Sequence, residues 1–247
     1  MVKIVVDLWR TGLHGVEIGI KKKEELMSKS RRFTEDTDII GKVEIDNEEY
    51  GYIAYRTIPW NKESIFERRL AARLFSKDIE WIASIDENFG REVLLTLAND
   101  EPSPAFIITH SGQRVVYYIE RIRPRFLETD AFLFTFIDRE RVLHPLVIKS
   151  KRFTLGSDWK VVDMRTDKEI AEVDGKILDI GGEWEIKTKI NDERLWHSLI
   201  LFATTLRFYD DINERLDRIY KELRKGKTPV KLTKTDLSMF YNPRLRR

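Results

Sequence analysis

The residues best placed to do chemistry in this chain form one short run, Glu183-Trp184-Glu185-Ile186-Lys187. On a strand, alternate side chains share a face, so two carboxylates and one ammonium would point the same way. Carboxylate oxygens suit a hard divalent cation and the lysine suits a phosphate, and this Glu-x-Glu-x-Lys spacing is that of the triphosphate tunnel enzymes. One reading is therefore a metal-dependent triphosphate or polyphosphate hydrolase using Glu183, Glu185 and Lys187, with Glu183 and Glu185 on the metal. A second group is Lys149, Lys151 and Arg152, with Lys160 on the next strand. Neighbouring strands lie about 4.8 Å apart, so these cations would converge on an anionic head group. A third is the C-terminal tail, where Arg224, Lys225, Lys227, Lys231, Lys234 and a terminal arginine cluster stand against Asp236 alone. That excess favours acidic lipid, nucleic acid or an acidic partner, although no groove-reading motif lies beside it.

Other catalytic patterns are missing. His14, His110, His144 and His197 are scattered with no His-x-x-x-His pair, and neither a Gly-x-Ser-x-Gly elbow nor a glycine-rich phosphate loop occurs. His197 falls among apolar residues at helical spacing and reads as a hydrogen-bonded core residue. With no cysteine, a disulfide framework and a thiolate metal site are both excluded. No cofactor is expected.

The elements that must position these residues are mostly strands. Short alternating segments rich in Val, Ile, Tyr and Phe recur between turn residues. They include Lys3 to Leu8, Val16 to Ile20, Val43 to Ile45, Tyr50 to Tyr55, Glu92 to Leu97, Phe106 to Thr109, Val115 to Ile119 and Phe132 to Ile137. One interruption has helical spacing: Phe66, Leu70 and Leu74, then Phe75, Ile79 and Ile82, predict an amphipathic helix over about 62–83. From Leu146 to Lys189 the pattern reads as a five-strand meander, with turns at Gly156-Ser157, Asp174-Gly175 and Gly181-Gly182. An internal repeat offset by 25 residues aligns Lys151–Val161 with Lys176–Ile186. It places Trp159 with Val161, and Trp184 with Ile186, on faces expected to be core. The repeat also sets Asp158 and Lys160 in the same pattern as Glu183 and Glu185, which weakens the tunnel reading.

Asn191 or Asp192 can cap a helix from about Glu193 to Arg224, with Lys225-Gly226 as the stop. From Leu195 to Tyr209 apolar side chains occupy most of its circumference, whereas from Ile212 onward only one stripe is apolar. The first half is expected to thread the interior of a sheet wrapped around it, and the second to emerge onto the outside. A tunnel lined by cations cannot coexist with such a filling.

The hairpins around Phe153-Thr154-Leu155-Gly156, Val173-Asp174-Gly175-Lys176 and Ile180-Gly181 precede this apolar helix, which trails into Tyr209-Asp210-Asp211-Ile212-Asn213-Glu214. Together they resemble the tubby C-terminal-like superfamily, in particular its LURP-one-related and phospholipid-scramblase branch, over about Glu92 to Leu223. The resemblance implies a mainly β (α+β) fold, an antiparallel barrel of about twelve strands enclosing a hydrophobic C-terminal helix. It also implies a non-enzymatic binding or regulatory scaffold, with anionic phospholipid head groups at a membrane surface as the expected ligand. The barrel domain would span 1–224, with 1–90 open to being a separate subdomain, followed by a basic tail over 225–247. Leu237, Met239, Phe240 and Tyr241 in that tail could dock on the domain or join two copies of the chain.

Composition sets the remaining bounds. Of 247 residues, 42% are hydrophobic and 35% charged, a globular balance with a charged share suited to a thermophile. The net charge of +2 means that any attraction to phosphate must come from a local patch. The segment Met1 to Asp7 lacks the basic opening and apolar run of a signal peptide, so an intracellular, cytoplasmic location is expected.

Overall fold

The computed structural model describes residues 1–9, 30, 32–122, 130–151, 158–176, 182–226 and 229–241. Twelve antiparallel strands close into one barrel in the order β1-β12-β11-β10-β9-β8-β7-β6-β5-β4-β3-β2. The strands are β1 (Val2–Leu8), β2 (Thr37–Ile45), β3 (Glu48–Arg56), β4 (Ala71–Ser76), β5 (Trp81–Glu87) and β6 (Ala105–His110). The circuit continues with β7 (Val116–Ile122), β8 (Ala131–Ile137), β9 (Leu143–Ser150), β10 (Trp159–Asp163), β11 (Lys168–Lys176) and β12 (Glu183–Thr188). Strands β1 to β5 are part of this closed circuit, so the described strands within 1–90 belong to the barrel.

Five helices accompany the strands among the described residues: α1 (Thr57–Trp60), α2 (Phe89–Asn99), α3 (Glu193–Leu206), α4 (Tyr209–Arg224) and α5 (Lys234–Tyr241). Helix α3 fills the barrel. Leu199, Ile200, Leu201, Phe202 and Ala203 have no exposed surface, as a helix apolar all round requires. Phe202 packs edge-on to Phe132 at 5.2 Å and Trp159 at 5.7 Å. Trp159, Val161, Trp184 and Ile186 point inward, as the repeat predicts. The single helix expected over 193–224 is two, interrupted at Arg207-Phe208 where the chain leaves the lumen.

Every hairpin turn at one end of the barrel is short, and each turns through a left-handed residue: Asp46 and Asn47, Ile79, Gly112, Arg141 and Asp167 all have positive φ. The chain enters the lumen at this end, through Asp192, the N-cap of α3. The longer connections, with α1 and α2, lie at the opposite end, where α3 leaves for α4.

Several sequence expectations are corrected. No helix spans 62–83; residues 62–70 are turns and irregular chain, and β4 and the start of β5 follow. Strand β4 is buried on both faces, with Ala72 and Leu74 toward the lumen and Phe75 in a second apolar cluster outside the barrel with Phe33, Tyr52 and Ile79. A strand apolar on both faces loses its alternation, and its residues then satisfy helical spacing. Conversely, Glu92 to Leu97 is not a strand but the middle of α2. Its buried stripe is Phe89, Glu92 and Thr96, while Leu94 and Leu97 face outward, so polarity conceals its helical period. Among the described residues the meander from Leu146 to Lys189 has four strands, against the five expected, and Asp174-Gly175 lies inside β11 rather than at a turn. Gly175 is needed there because it faces Trp184 across the ladder, and a Cβ at that position would lie 2.8 Å from the indole. The turn between β10 and β11 instead runs through Asp167. Val16 to Ile20 and the Gly156-Ser157 turn lie outside the described residues.

Candidate functional site

At the end where α3 enters, the barrel mouth holds a cleft of about 530 Å³. Its floor is made by the last residue of β6, His110, and by His197 one turn into α3. Tyr50 reaches over them because of a bulge in β3. Val43 pairs with Gly51 and Glu44 with Glu49, which leaves Tyr50 without a partner on β2. A bulge re-aims the side chain it releases, and the Tyr50 hydroxyl shares a 2.5 Å hydrogen bond with His197 Nε2. The two imidazole rings lie 6.0 Å apart. His110 Nε2 is 3.5 Å from the Ser198 hydroxyl, and its Nδ1 is buried with no hydrogen-bond partner. The Ser198 hydroxyl already donates to the Arg194 carbonyl at 2.7 Å, so His110 Nε2 is the donor toward it and Nδ1 is left as an acceptor.

Burial sets the protonation of all three groups. It lowers His110 to about 4 and His197 to about 3, the latter helped by His110, and pushes the Tyr50 phenol up to about 12. At neutral pH the floor therefore offers uncharged donors and acceptors. The walls carry charge in balance, Arg139 and Arg194 against Glu80 and Glu193. Arg194 is held in place by Asp192, which accepts from its Nε at 2.9 Å and Nη2 at 2.5 Å, and its guanidinium lies 5.5 Å from the Phe136 ring. Burial works against the Asp192 charge, but the hydrogen bonds from Arg194 outweigh it and keep the carboxyl below its ordinary range. On the rim, His144 is bound by Asp163 at 2.9 Å and Asp138 at 2.8 Å; burial opposes its charge, yet the two carboxylates raise its pKa. His144 thus ties the β8–β9 and β10–β11 turns together.

The sequence-predicted residues lie elsewhere. Glu183, Glu185 and Lys187 alternate with the inward Trp184 and Ile186, so they face out of the barrel. Glu185 is bonded to Lys3 at 2.9 Å and Lys187 at 2.6 Å, and Glu183 to Lys176. With α3 in the lumen no tunnel exists, which overturns the hydrolase arrangement. Among the described residues no group of three or more His, Cys, Asp and Glu side chains could hold a metal. Lys149 and Lys160 are cross-strand partners on the outer wall, and neither forms an ion pair with a described residue. Lys151 is instead paired with Glu172, and Arg152 lies outside the described residues. In the tail, α5 is docked rather than free: Asp236 caps it through Thr233 and bonds buried Arg69 at 3.1 Å, and Met239 is buried.

No protein-family model, curated protein or solved structure matches this chain.

A second buried constellation anchors α4 to the barrel. The Arg215 guanidinium donates to both oxygens of Glu87 and to Glu92, each at 3.0 Å. Those carboxylates also accept from the backbone N–H groups of Leu70 and Ala105. Burial, reinforced by the neighbouring Glu87 charge, pushes Glu92 up to about 8. Every oxygen faces a protein donor, so the cluster is a structural clamp with no vacancy for substrate.

The sequence concealed the cleft for a definite reason. Its three floor groups come from positions 50, 110 and 197, and only closure of the barrel, the Tyr50 bulge and the threading of α3 bring them together.

Proposed function

We propose that this protein is a non-enzymatic binding protein, and that its ligand is a small polar head group seated in the cleft at the mouth of the barrel. The observation that carries this reading is the convergence of Tyr50, His110 and His197 on one cleft, with His110 Nδ1 buried and unpartnered. An acceptor hidden from water without a partner costs on the order of 1–3 kcal/mol, and a ligand donor would recover it. A cleft of about 530 Å³ is the size of a ligand site. Its balanced walls favour a molecule with both signs or many hydroxyls, with a phosphate toward Arg139 and Arg194 and a cation or hydroxyl toward Glu80 and Glu193. Binding is favoured over acid–base catalysis because the floor groups titrate near 3, 4 and 12, far from neutrality. Membership of the tubby-like superfamily is part of this proposal, supported by the closed twelve-strand barrel and its central helix.

A second reading places an anionic phospholipid head group on the outer wall at Lys149 and Lys160. Like charges directly opposite on neighbouring strands repel, and an anion between them would relieve that. Calorimetric titration with glycerophosphoethanolamine, glycerophosphoinositol and inorganic phosphate distinguishes the two. The cleft reading expects saturable binding of a glycerophosphodiester that weakens at least about tenfold in His110→Phe and is unchanged in Lys149→Ala. Loss in Lys149→Ala alone would move the site to the outer wall, and binding of none of the three probes would sink both.

A further inference from the structure

The rim of the cleft is fastened by a side chain that titrates. His144, the second residue of β9, has a carboxylate on each ring nitrogen. Asp163 Oδ2, at the end of β10, lies 2.9 Å from Nδ1, and Asp138 Oδ2, on the β8–β9 turn, lies 2.8 Å from Nε2. An imidazolium carries hydrogen on both nitrogens and a neutral imidazole on one, so only the charged ring donates to both carboxylates at once. The His144 side chain is 22% exposed, open to proton exchange with water. Asp138 also accepts the Val142 N–H on its side chain at 2.8 Å and the Arg141 N–H on its carbonyl at 3.1 Å, and so closes the turn from which Arg139 lines the cleft. The Tyr117 hydroxyl donates to the carbonyl of Ile137, the residue before Asp138, at 3.2 Å, and its ring stands edge-on to His110 at 5.4 Å. The fastened turn therefore bears on the floor of the cleft as well as on its wall.

We infer that His144 is a proton-operated latch on the cleft: charged, it holds the β8–β9 turn and Arg139 in place, and neutral, it releases them and weakens the hold on an anionic group. The consequence for binding rests on the cleft reading, whereas the latch does not. Several charges face the ring. Asp138 and Asp163 favour its proton, and Arg165 on the β10–β11 turn, with Nη2 3.2 Å from Nδ1, opposes it. Glu140 and Arg141 share the turn with Asp138. Phe136 lies 6.4 Å from the His144 ring, and beyond it stands the Arg194–Asp192 pair. Burial works against the His144 charge, but the hydrogen bonds to Asp163 and Asp138 outweigh it and raise the pKa above 6.5. The latch is thus closed at mildly acid pH and opens on the alkaline side. The proton that remains stays on Nδ1, because Asp163 is 7% exposed and cannot turn to water, whereas Asp138 is 24% exposed and can. Arg165 would bond Nδ1 only after that nitrogen had lost its hydrogen, which would leave buried Asp163 facing a lone pair. The bond that breaks is therefore the one to Asp138, on the turn that carries Arg139.

The test compares the full chain at two conditions, roughly pH 6 and pH 9 on either side of the raised imidazole pKa, by two readouts: backbone amide order parameters over residues 139–142, and calorimetric titration with glycerophosphoinositol, whose phosphodiester keeps its charge throughout. His110 near 4, His197 near 3 and Tyr50 near 12 hold one protonation state across this window. At the higher pH the order parameters should fall and the probe should bind at least about fivefold more weakly, the lower end of coupling between linked sites. In Asp138→Asn the amide oxygen still takes the Val142 N–H, and its N–H group turns to Nε2 of a neutral His144, so both pH steps should vanish. His144→Phe keeps a ring against Phe136 but donates nothing, and should behave at both pH values as the parent does at the higher one. Glu92, which titrates near 8 at the other end of the barrel, is intact in both variants and cannot account for a step that they abolish. A turn that stays ordered at high pH, a step that persists in Asp138→Asn, or loosening with unchanged affinity would each overturn the inference. Loosening of the turn with no binding at either pH would support the latch and sink the cleft reading alone.

Discussion

Replacing Glu92 with glutamine tests the buried clamp on α4, and the expected result depends on pH. In the folded chain the Glu92 carboxyl titrates near 8, chiefly because it is buried and then because Glu87 lies beside it; its ordinary value is 4.5. A raised carboxyl binds its proton more tightly folded than unfolded. Its contribution is therefore fully present below pH 4.5 and is lost as pH rises through 8. Each pH unit between the two values corresponds to about 1.4 kcal/mol, which sets a ceiling of ~5 kcal/mol on the loss across that window. In Glu92→Gln the amide carries no titrating proton and keeps one acceptor oxygen for the two donors that face this side chain, the Ala105 N–H and Arg215 Nη2. The assay is urea unfolding of both proteins at several pH values between about 5 and 9, read as the difference in stability between them so that other titrating groups cancel. Near pH 5 the two should lie within about 1 kcal/mol, since a neutral carboxylic acid and a primary amide present nearly the same shape and hydrogen-bonding groups. By pH 9 the glutamine variant should be the more stable of the two. A difference that does not change with pH, or a glutamine variant that weakens as pH rises, would refute the protonated clamp.

Other consequences follow from the core and the cleft. Truncating Phe202 to Ala opens a cavity between α3, Phe132 and Trp159 and should cost about 3–5 kcal/mol in denaturant unfolding. A cost below about 1 kcal/mol would mean that α3 is not enclosed. His110 and His197 are lowered from 6.5, chiefly by burial, so their contribution is present above pH 6.5 and lost as pH falls through about 4 and 3. The acid limb of the stability curve should flatten in His197→Gln, and an unchanged limb would count against a buried neutral imidazole. Gly175→Ala should lower the melting temperature, because the new methyl meets Trp184. An unshifted melting temperature would show that the indole is free to move.

The architecture was legible where one side of an element differs from the other. The fully apolar turns of α3 stand beside the single stripe of α4, and Trp159, Val161, Trp184 and Ile186 alternate cleanly, so a helix inside a wrapped sheet follows from pattern alone. The reading failed where burial is two-sided or polar. Phe75 faces a second apolar cluster, which turned β4 into an apparent helix, and Glu92 and Thr96 line the buried side of α2, which turned that helix into an apparent strand. Asp174-Gly175 misled for a different reason: the glycine serves the Trp184 ring, not a turn. Of the cleft, only His197 drew attention in the sequence, as a hydrogen-bonded helix residue, and its bond to Tyr50 bears that out. Its relation to His110 depends on contacts between residues 87 positions apart in the chain, which no local spacing encodes.

The central claim is that the cleft holds two neutral imidazoles ready to accept a polar ligand, and nitrogen NMR of the histidine side chains addresses it most directly. In the free protein at about pH 6, His110 and His197 should show the resonances of neutral rings, and addition of glycerophosphoethanolamine should shift the His110 Nδ1 signal to saturation as it gains a hydrogen bond. Imidazolium signals at that pH, or a His110 resonance that stays fixed while the probe is raised, would contradict the account.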